Sequence, residues 1–249
     1  MTDWDDLTRE LDAWHDARRV ATFWWRDDDA TRVTEPLERL LALAATHDAP
    51  VALAVIPRDA DDCLRARLAV EARAWVLQHG WGHDNHAPEG RQEEFGLHRP
   101  LPVMLDELAR GWRKIAAFDR ALPVMVAPWN RMDPQVVPHL PAAGLKAVST
   151  LGPREAAVQA GVRRTNVHVD IVDWQGTRGF MGTAAVLDQV LTHLRARRTR
   201  TVDAIEPTGL MTHHLFHDEG CWRFIGEFLG RTRRHPAVRW LDAAEVFAA

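Results

Sequence analysis

The chain has 249 residues and a formal net charge of -4 at pH 7, from 31 basic and 35 acidic side chains. Because no long basic block breaks this near-balance, we expect no nucleic-acid partner. Cys63 and Cys221 are too few for a disulfide framework, and no apolar run approaches the roughly 20 residues that span a bilayer. The acidic N-terminus lacks the features of a signal peptide, so we expect a cytoplasmic protein without a membrane partner.

Short apolar runs alternate with longer amphipathic segments along the chain. The apolar runs predict seven strands: Val20 to Trp25, Val51 to Ile56, Ala74 to Gln78, Pro123 to Ala127, Lys146 to Thr150, Val167 to Val172 and Leu210 to His213. The amphipathic segments predict helices: Pro36 to His47, Pro102 to Phe118, Thr183 to Arg197 and Cys221 to Arg233. This alternation predicts a parallel sheet with helical crossovers, and the lack of a linker or repeat predicts that residues 1–249 form a single α/β domain.

Polar side chains follow many of these strands. In chain order they are Asp27 to Asp29 after the first strand, His79 and His83 after the third, Asn130 and Arg131 after the fourth, Asp173 after the sixth, and His213 and His214 after the seventh. Parallel α/β folds gather their active sites at the carboxyl ends of strands. We therefore expect these residues to meet on one face of the sheet.

A histidine-rich loop carries the strongest chemical signal. Three imidazoles, His79, His83 and His86, lie within eight residues and are interleaved with Gly80 and Gly82. The spacing of the first two would suit one face of a helix, but the glycines favour a loop that folds both rings toward one metal ion. His86 is interpreted as a neighbour of the ligands or a substrate contact.

The acidic triplet Asp27 to Asp29 and the segment Val126 to Arg131 are the weaker signals. Adjacent carboxylates repel one another unless a cation or an arginine lies between them, although a solvated acidic turn is the alternative interpretation. The Pro-Trp step at Trp129 is by itself consistent with an ordinary turn. Asp173, beside Trp174, fits a buried ion pair as well as a functional role.

Taken in order, these residues resemble the motifs of the polysaccharide deacetylase family, also called carbohydrate esterase family four. Its first motif, Thr-Phe-Asp-Asp-Gly, contains a base and a metal ligand; the direct register makes these Asp27 and Asp28, and a one-residue slip makes them Asp28 and Asp29. Its second motif, His-Ser/Thr-x-x-His, matches His79 and His83 with glycine in the Ser/Thr position.

The third motif of the family, Arg-x-Pro-Trp/Tyr, has Val126 here in place of the arginine that orients the base, and Arg26 or Arg131 is a candidate substitute. The fourth motif resembles Asp170 to Trp174. The fifth, Leu-x-His, resembles Met211 to His213 and makes His213 the catalytic acid.

The resemblance implies a distorted (β/α)7-type barrel with its active site at the carboxyl ends of the strands. It also implies a divalent metal ion held by Asp28, His79 and His83, with zinc favoured and cobalt, nickel or manganese compatible with the same ligands. Further residues are expected at or near the pocket: Asp29, His86, Trp129, Asn130, Arg131, Asp173, Trp174 and His214, with Glu94 and His217 as additional polar groups near the site.

The implied activity is metal-dependent hydrolysis of an N-acetyl amide on a carbohydrate or a related acylated amine. Asp27 would act as the base and His213 as the acid. Two alternatives remain open: a hydrolase of a small cyclic or linear amide, and a non-catalytic homologue that binds metal or sugar. The sequence leaves the oligomeric state open.

Overall fold

The computed structural model describes residues 1–248. Within them the strands, numbered in chain order, are β1 Ala21–Ala30, β2 Val51–Val55, β3 Ala74–His79, β4 Ala121–Val126, β5 Ala147–Ser149, β6 Val158–Gln159, β7 Val162–Arg164, β8 Val169–Asp170, β9 Thr208–Thr212 and β10 Val238–Trp240. The helices are α1 Trp4–Asp16, α2 Glu35–Thr46, α3 Asp62–Ala69, α4 Leu101–Ile115, α5 Thr183–Thr199, α6 Glu219–Thr232 and α7 Ala243–Val246.

The strands form one sheet in the order β6-β7-β5-β4-β3-β2-β1-β9-β8, in which every pair is parallel except β6 with β7. A further parallel bridge joins Leu151, just after β5, to Val167, just before β8. This bridge brings the two sides of the curled sheet together, so that β1, β2, β3, β4, β5, β8 and β9 surround a common interior. The distorted (β/α)7-type barrel predicted from the sequence is confirmed.

Strand β1 lies at the centre of this arrangement. It pairs with β10 over Ala21 to Phe23, with β9 over Phe23 to Asp27, and with β2 from Arg26 onward. Because successive side chains of a strand point to opposite faces, Trp24 packs into the barrel interior while Phe23 and Trp25 pack under the outer helices. The same alternation points the side chain of Arg26 into the barrel, where it is fully buried.

The helices cover the outer face of the sheet with their apolar sides, and several begin at a side-chain cap. Asp3 caps α1 in a reciprocal capping box, Thr34 caps α2, and Asp218 caps α6. The large apolar core lies between these helices and the strands. Among residues 1–248, no helix is both long enough and apolar enough to cross a membrane.

The carboxyl end of β1 differs from the sequence prediction. The predicted strand ended at Trp25, with the acidic triplet in a following turn, but the observed strand continues to Ala30 and contains the whole triplet. Charged side chains are uncommon inside a strand, and here Asp27 and Asp28 have buried hydrogen-bond partners that offset their desolvation. The acidic residues are therefore part of the barrel wall.

Candidate active site

Three side chains from two strand ends converge at the carboxyl edge of the barrel. One oxygen of Asp29, Oδ1, lies 3.1 Å from Nε2 of His79 and 3.5 Å from Nε2 of His83. One potential ligand atom of each residue lies within 4.8 Å of those of the other two. One carboxylate and two imidazoles are a ligand set typical of zinc and neighbouring first-row metals.

The hydrogen bonds around these side chains suit a metal ion. Nδ1 of His79 lies 3.1 Å from the carbonyl oxygen of Val126, an acceptor that holds one ring proton on Nδ1, so that Nε2, which faces Asp29, offers its lone pair to a metal ion once the ring is neutral. Oδ1 of Asp29 is buried and has no hydrogen-bond donor among the described residues. A buried carboxylate oxygen without a donor is costly, and a cation bound at this point would remove that cost.

The pKa values of the cluster reflect its burial and the short distances between its titratable groups. Burial works against ionisation of Asp29, but the attraction of a protonated His79 outweighs this and lowers the pKa of the carboxyl, and the pKa of His79 is raised in turn. Burial and the neighbouring His79 lower the pKa of His83 to about 4. His83 is therefore neutral at pH 7, which is the form of imidazole that binds metal ions.

A bulge in β1 explains how two adjacent aspartates reach one site. The pairing of β1 with β2 shifts between Asp27 and Ala30, and Asp29 within that stretch has a φ of 74°. A regular strand would send the side chains of Asp28 and Asp29 to opposite faces. The bulge re-aims Asp29, so that both carboxylates reach the carboxyl edge of the barrel.

Asp28 is held by Arg26 from the same strand. The guanidinium donates from Nε to Oδ1 and from Nη2 to Oδ2 of Asp28, both at 2.8 Å, so the pair is bidentate. Arg26 also donates to Ser149 Oγ at 2.8 Å and to Asn130 Oδ1 at 2.6 Å. Arg26 binds both oxygens of Asp28, so Asp28 is not a member of the triad with His79 and His83 that the direct register of the first motif predicts. The triad instead contains Asp29, as in the one-residue slip.

Asp27, the base of the direct register, lies away from this triad and is fully buried. Its Oδ1 contacts Nδ1 of His214 at 2.5 Å, and its Oδ2 accepts from Thr212 Oγ1 at 2.6 Å and from the backbone N–H of His214 at 3.1 Å. Burial disfavours the charged form of both groups, but their mutual attraction lowers the pKa of Asp27 and raises that of His214. Because both oxygens of Asp27 contact Thr212 and His214, Asp27 holds the carboxyl end of β9 against β1.

His213 faces Asp28 from the end of β9. Its Nε2 lies 3.9 Å from Asp28 Oδ2, and the residue is 8% exposed. The ring packs edge-to-face against Trp174, with the centroids 4.8 Å apart. The Trp174 indole in turn donates to Asp170 Oδ2 at 2.8 Å, so the fourth-motif segment holds the wall beside His213.

Trp129 lies beside the histidine loop, and the centroid of its ring is 4.3 Å from that of His83. Trp129 and Asn130 adopt left-handed backbone conformations, with φ of 51° and 56°. Asp29 and His83 do so as well, with φ of 74° and 58°. Such residues each cost about 1–3 kcal/mol and tend to occur at functional sites, where the surrounding structure maintains them.

Three predicted pocket residues lie outside this cluster. Asp173 accepts from the backbone N–H groups of Gly176 and Thr177 and so stabilises a turn. Arg131 donates to the carbonyl of Gln92, and His86 is exposed. Sequence reasoning assigned no role to Ser149, which accepts from Arg26 across the barrel interior and belongs to none of the motifs.

A second group of titratable side chains lies at the other end of the barrel strands. One atom each of His168, His193 and Glu206 fall within 4.8 Å of one another. The two rings are stacked at 3.4 Å with an angle of 14°, however, so no single point lies in both ring planes. Nδ1 of His168 also accepts from the backbone N–H of Gly209, which leaves its proton on Nε2, 3.3 Å from Glu206. These features fit a neutral, structural stack better than a metal site.

No protein-family model matches the sequence, and no curated protein matches it in sequence. Solved structures do match. The Bc1960 peptidoglycan N-acetylglucosamine deacetylase is 13% identical with a TM-score of 0.57, and the match covers 94% of this chain and 95% of that one. A family 4 acetyl xylan esterase from Clostridium thermocellum, solved with a cobalt ion, is 13% identical with a TM-score of 0.51, covering 91% and 90%.

The same fold occurs in a protein from Bacillus anthracis that is described as a pseudoenzyme of carbohydrate esterase family four. It is 16% identical with a TM-score of 0.56, and the match covers 91% of this chain and 65% of that one. Identities this low establish the fold and leave the chemistry to be argued from the site. The chain thus has the fold of the polysaccharide deacetylases of carbohydrate esterase family four, and the resemblance indicated by its motifs is confirmed at the level of the fold.

Proposed function

We propose that the protein is a metal-dependent hydrolase, in a single catalytic domain, that removes an N-acetyl group from a carbohydrate or a related acylated amine. One observation carries the proposal. The Asp29, His79 and His83 triad lies beside an aspartate held by an arginine, and His213 faces that aspartate from the next strand. A metal site with two proton-transfer groups beside it can catalyse the hydrolysis of an amide.

Asp29, His79 and His83 would hold the ion, and we assign it as zinc because the ligands are two imidazoles and one carboxylate. A zinc ion with three protein ligands supplies Lewis acidity, which polarises a carbonyl group and lowers the pKa of water toward ~7. The donor-free Oδ1 of Asp29 and the lone pair of His79 Nε2 fit this assignment.

Asp28 would act as the base. Its two oxygens each keep a second lone pair after accepting from Arg26, so the carboxylate can still take a proton from an attacking water. Arg26 fixes the orientation of the Asp28 carboxylate through two charge-assisted hydrogen bonds. In this role Arg26 would replace the third-motif arginine, whose place is taken by Val126.

His213 would act as the acid that protonates the leaving nitrogen. Its Nε2 lies 3.9 Å from Asp28 Oδ2, so the group that would take a proton and the group that would give one line the same part of the site. Amines are poor leaving groups without this proton, and a positioned acid typically contributes about 10²–10⁴-fold. Trp174 beside His213 and Phe216 beyond it offer an apolar surface for the acyl group or a sugar ring.

The test is to measure zinc content and acetate release together. The parent protein, purified without chelator, should contain about one zinc per chain and release acetate from N-acetylglucosamine oligomers. His79→Ala should lose both zinc and hydrolysis. His213→Ala should keep zinc and lose turnover, and the exposed His139→Ala should match the parent as the histidine control.

Two outcomes would contradict the proposal. Hydrolysis that survives His79→Ala would exclude the assigned metal site. A zinc-loaded parent that hydrolyses no acylated amine would favour the non-catalytic alternative, for which the pseudoenzyme of Bacillus anthracis is a structural precedent.

A further inference from the structure

Glu94 is a fully buried carboxylate that no motif of the resembled family includes. It lies in the irregular segment between β3 and α4, and its side chain reaches back to the histidine loop that follows β3. Phe95 beside it is buried in the apolar core around α4, and Arg99 donates to the Glu94 carbonyl at 3.1 Å. Glu94 is therefore fixed on both sides and is not a loop residue that happens to point inward.

The carboxylate of Glu94 accepts from three consecutive backbone N–H groups. Oε1 accepts from Gly82 at 2.8 Å and from His83 at 3.1 Å, and the N–H of Trp81 lies 3.3 Å from Oε2. Successive N–H groups that converge on one anion form a concave nest, and hydrogen bonds to a charged acceptor are stronger than those between neutral groups. Glu94 thus determines the path of the backbone that carries His83.

Gly80 shows that the carboxylate fills a specific space. A Cβ atom at Gly80 would overlap Oε2 of Glu94 and would also approach Pro128 too closely. Gly80 moreover has a φ of 57°, a conformation that side chains disfavour. The position at which the resembled motif has Ser or Thr is glycine here, and the Glu94 carboxylate occupies the space beside it.

We propose that Glu94 is the positioning residue of the metal-ligand loop, which it supports through the backbone N–H groups of Trp81, Gly82 and His83. The inference rests on the proposed metal site at Asp29, His79 and His83. His83 has a φ of 58°, which costs about 1–3 kcal/mol in a free loop. The bond from its N–H to Glu94 maintains that conformation and keeps the ring directed at Asp29.

Without Glu94 the loop would relax, and His83 would spend less time in the ligand position. Removing groups that orient metal ligands typically weakens metal binding about 10–100-fold. Glu94→Ala should therefore raise the zinc dissociation constant by about 10–100-fold. Glu94→Gln keeps one oxygen for Gly82 and His83 but turns an NH₂ group toward the N–H of Trp81, so an increase of about tenfold is expected.

The experiment is a competition titration of the metal-free, full-length protein with zinc and a chromophoric chelator. Circular dichroism of the metal-free variants reports whether they fold. Glu89→Gln is the matched control because Glu89 is an exposed carboxylate in the same segment, and its zinc affinity should equal that of the parent. The absorption of bound cobalt should also weaken in the two Glu94 variants, which would report distorted ligand geometry in addition to lower affinity.

Parent-like zinc affinity and cobalt absorption in either folded Glu94 variant would overturn the inference, even if that variant melted at a lower temperature. If Glu94→Ala does not fold, Glu94→Gln decides alone. Zinc binding that is lost in His79→Ala but unchanged in Glu94→Gln would overturn the role of Glu94 and leave the proposed function standing. A parent protein that binds no zinc would overturn both.

Discussion

Replacing Arg26 with methionine should separate the pairing of Asp28 from the binding of metal. Arg26 is fully buried and gives Asp28 a bidentate partner, while its remaining donors bind Ser149 and Asn130. Arg26→Met removes the charge and all these donors but keeps most of the side-chain volume. The Asp28 carboxylate is then left buried without its hydrogen-bonded, bidentate partner.

The expected loss of stability follows from that unpaired carboxylate. Removing one partner of a buried ion pair costs about 3–5 kcal/mol, most of which is the desolvation of the charge left behind. Arg26→Met/Asp28→Asn removes both charges, so it should be more stable than Arg26→Met alone. We expect a coupling energy within the range of about 0.5–3 kcal/mol found for residues in direct contact.

Denaturant unfolding of the metal-free parent, the two single variants and the double variant gives this coupling, and zinc titration and acetate release complete the assay. Zinc affinity should change little because Arg26 binds Asp28 rather than a ligand of the triad. Turnover should decrease, with a loss that approaches the 10²–10⁴-fold, roughly, that general base catalysis contributes. Arg26→Lys should not restore turnover because an ammonium group cannot donate two parallel hydrogen bonds to the carboxylate as a guanidinium does. Additive losses of stability, or full turnover in Arg26→Met, would refute the pairing argument.

Three further predictions concern the rest of the barrel. His193 is buried with a pKa lowered to about 2, whereas an unfolded histidine has a pKa near 6.5, so the unfolded chain binds an extra proton below pH 6.5. The free energy of unfolding should therefore fall as the pH drops below 6.5, by about 1.4 kcal/mol per pH unit for this histidine, and His193→Leu should have a shallower slope than the parent or His139→Leu. His214→Ala should lower the free energy of unfolding by about 3–5 kcal/mol in denaturant titrations, because it leaves the buried Asp27 carboxylate unpaired, and zinc stoichiometry should not change. Zinc at about 100 times its dissociation constant should stabilise the parent by about 2.7 kcal/mol in thermal unfolding, and this gain should vanish in His79→Ala.

The parts of the fold that follow from local pattern were predictable. The apolar runs identified the strands of the barrel wall because each buried strand carries its own hydrophobic signal. Helix α1 was missed even though Asp3 and Asp6 form its capping box, a signal that is present in the sequence. The short strand β10 was also missed, since three residues that pair only with the start of β1 carry no periodicity.

The candidate site was predictable where spacing determines geometry. His79 and His83 were found from their separation and the glycines between them. Whether Asp28 or Asp29 joins the two histidines in the metal triad depends on the bulge in β1. Neither the residue composition nor the hydrophobic periodicity of this segment predicts the bulge. The sequence makes Arg26 a candidate substitute for the missing arginine, and the pairing of Arg26 with Asp28 is visible only in the folded strand that contains both residues.

The support of the histidine loop by Glu94 could be predicted neither from local pattern nor from the spacing of a motif. The carboxylate reaches residues 11 to 13 positions earlier in the chain, through a segment without regular structure. Neither helical nor strand periodicity relates residues across such a segment. Only the tertiary structure shows that a buried acid satisfies the donors of a glycine-rich turn.

Zinc titration of Asp28→Asn and Asp29→Asn tests the central claim, that Asp29 completes the metal triad while Asp28 is held by Arg26. The two changes are chemically identical and adjacent in the chain, so each is the control for the other. We predict that Asp29→Asn weakens zinc binding by about 100-fold or more, beyond the range for outer groups, while Asp28→Asn stays close to the parent. Loss of zinc in Asp28→Asn with parent-like binding in Asp29→Asn would contradict the account.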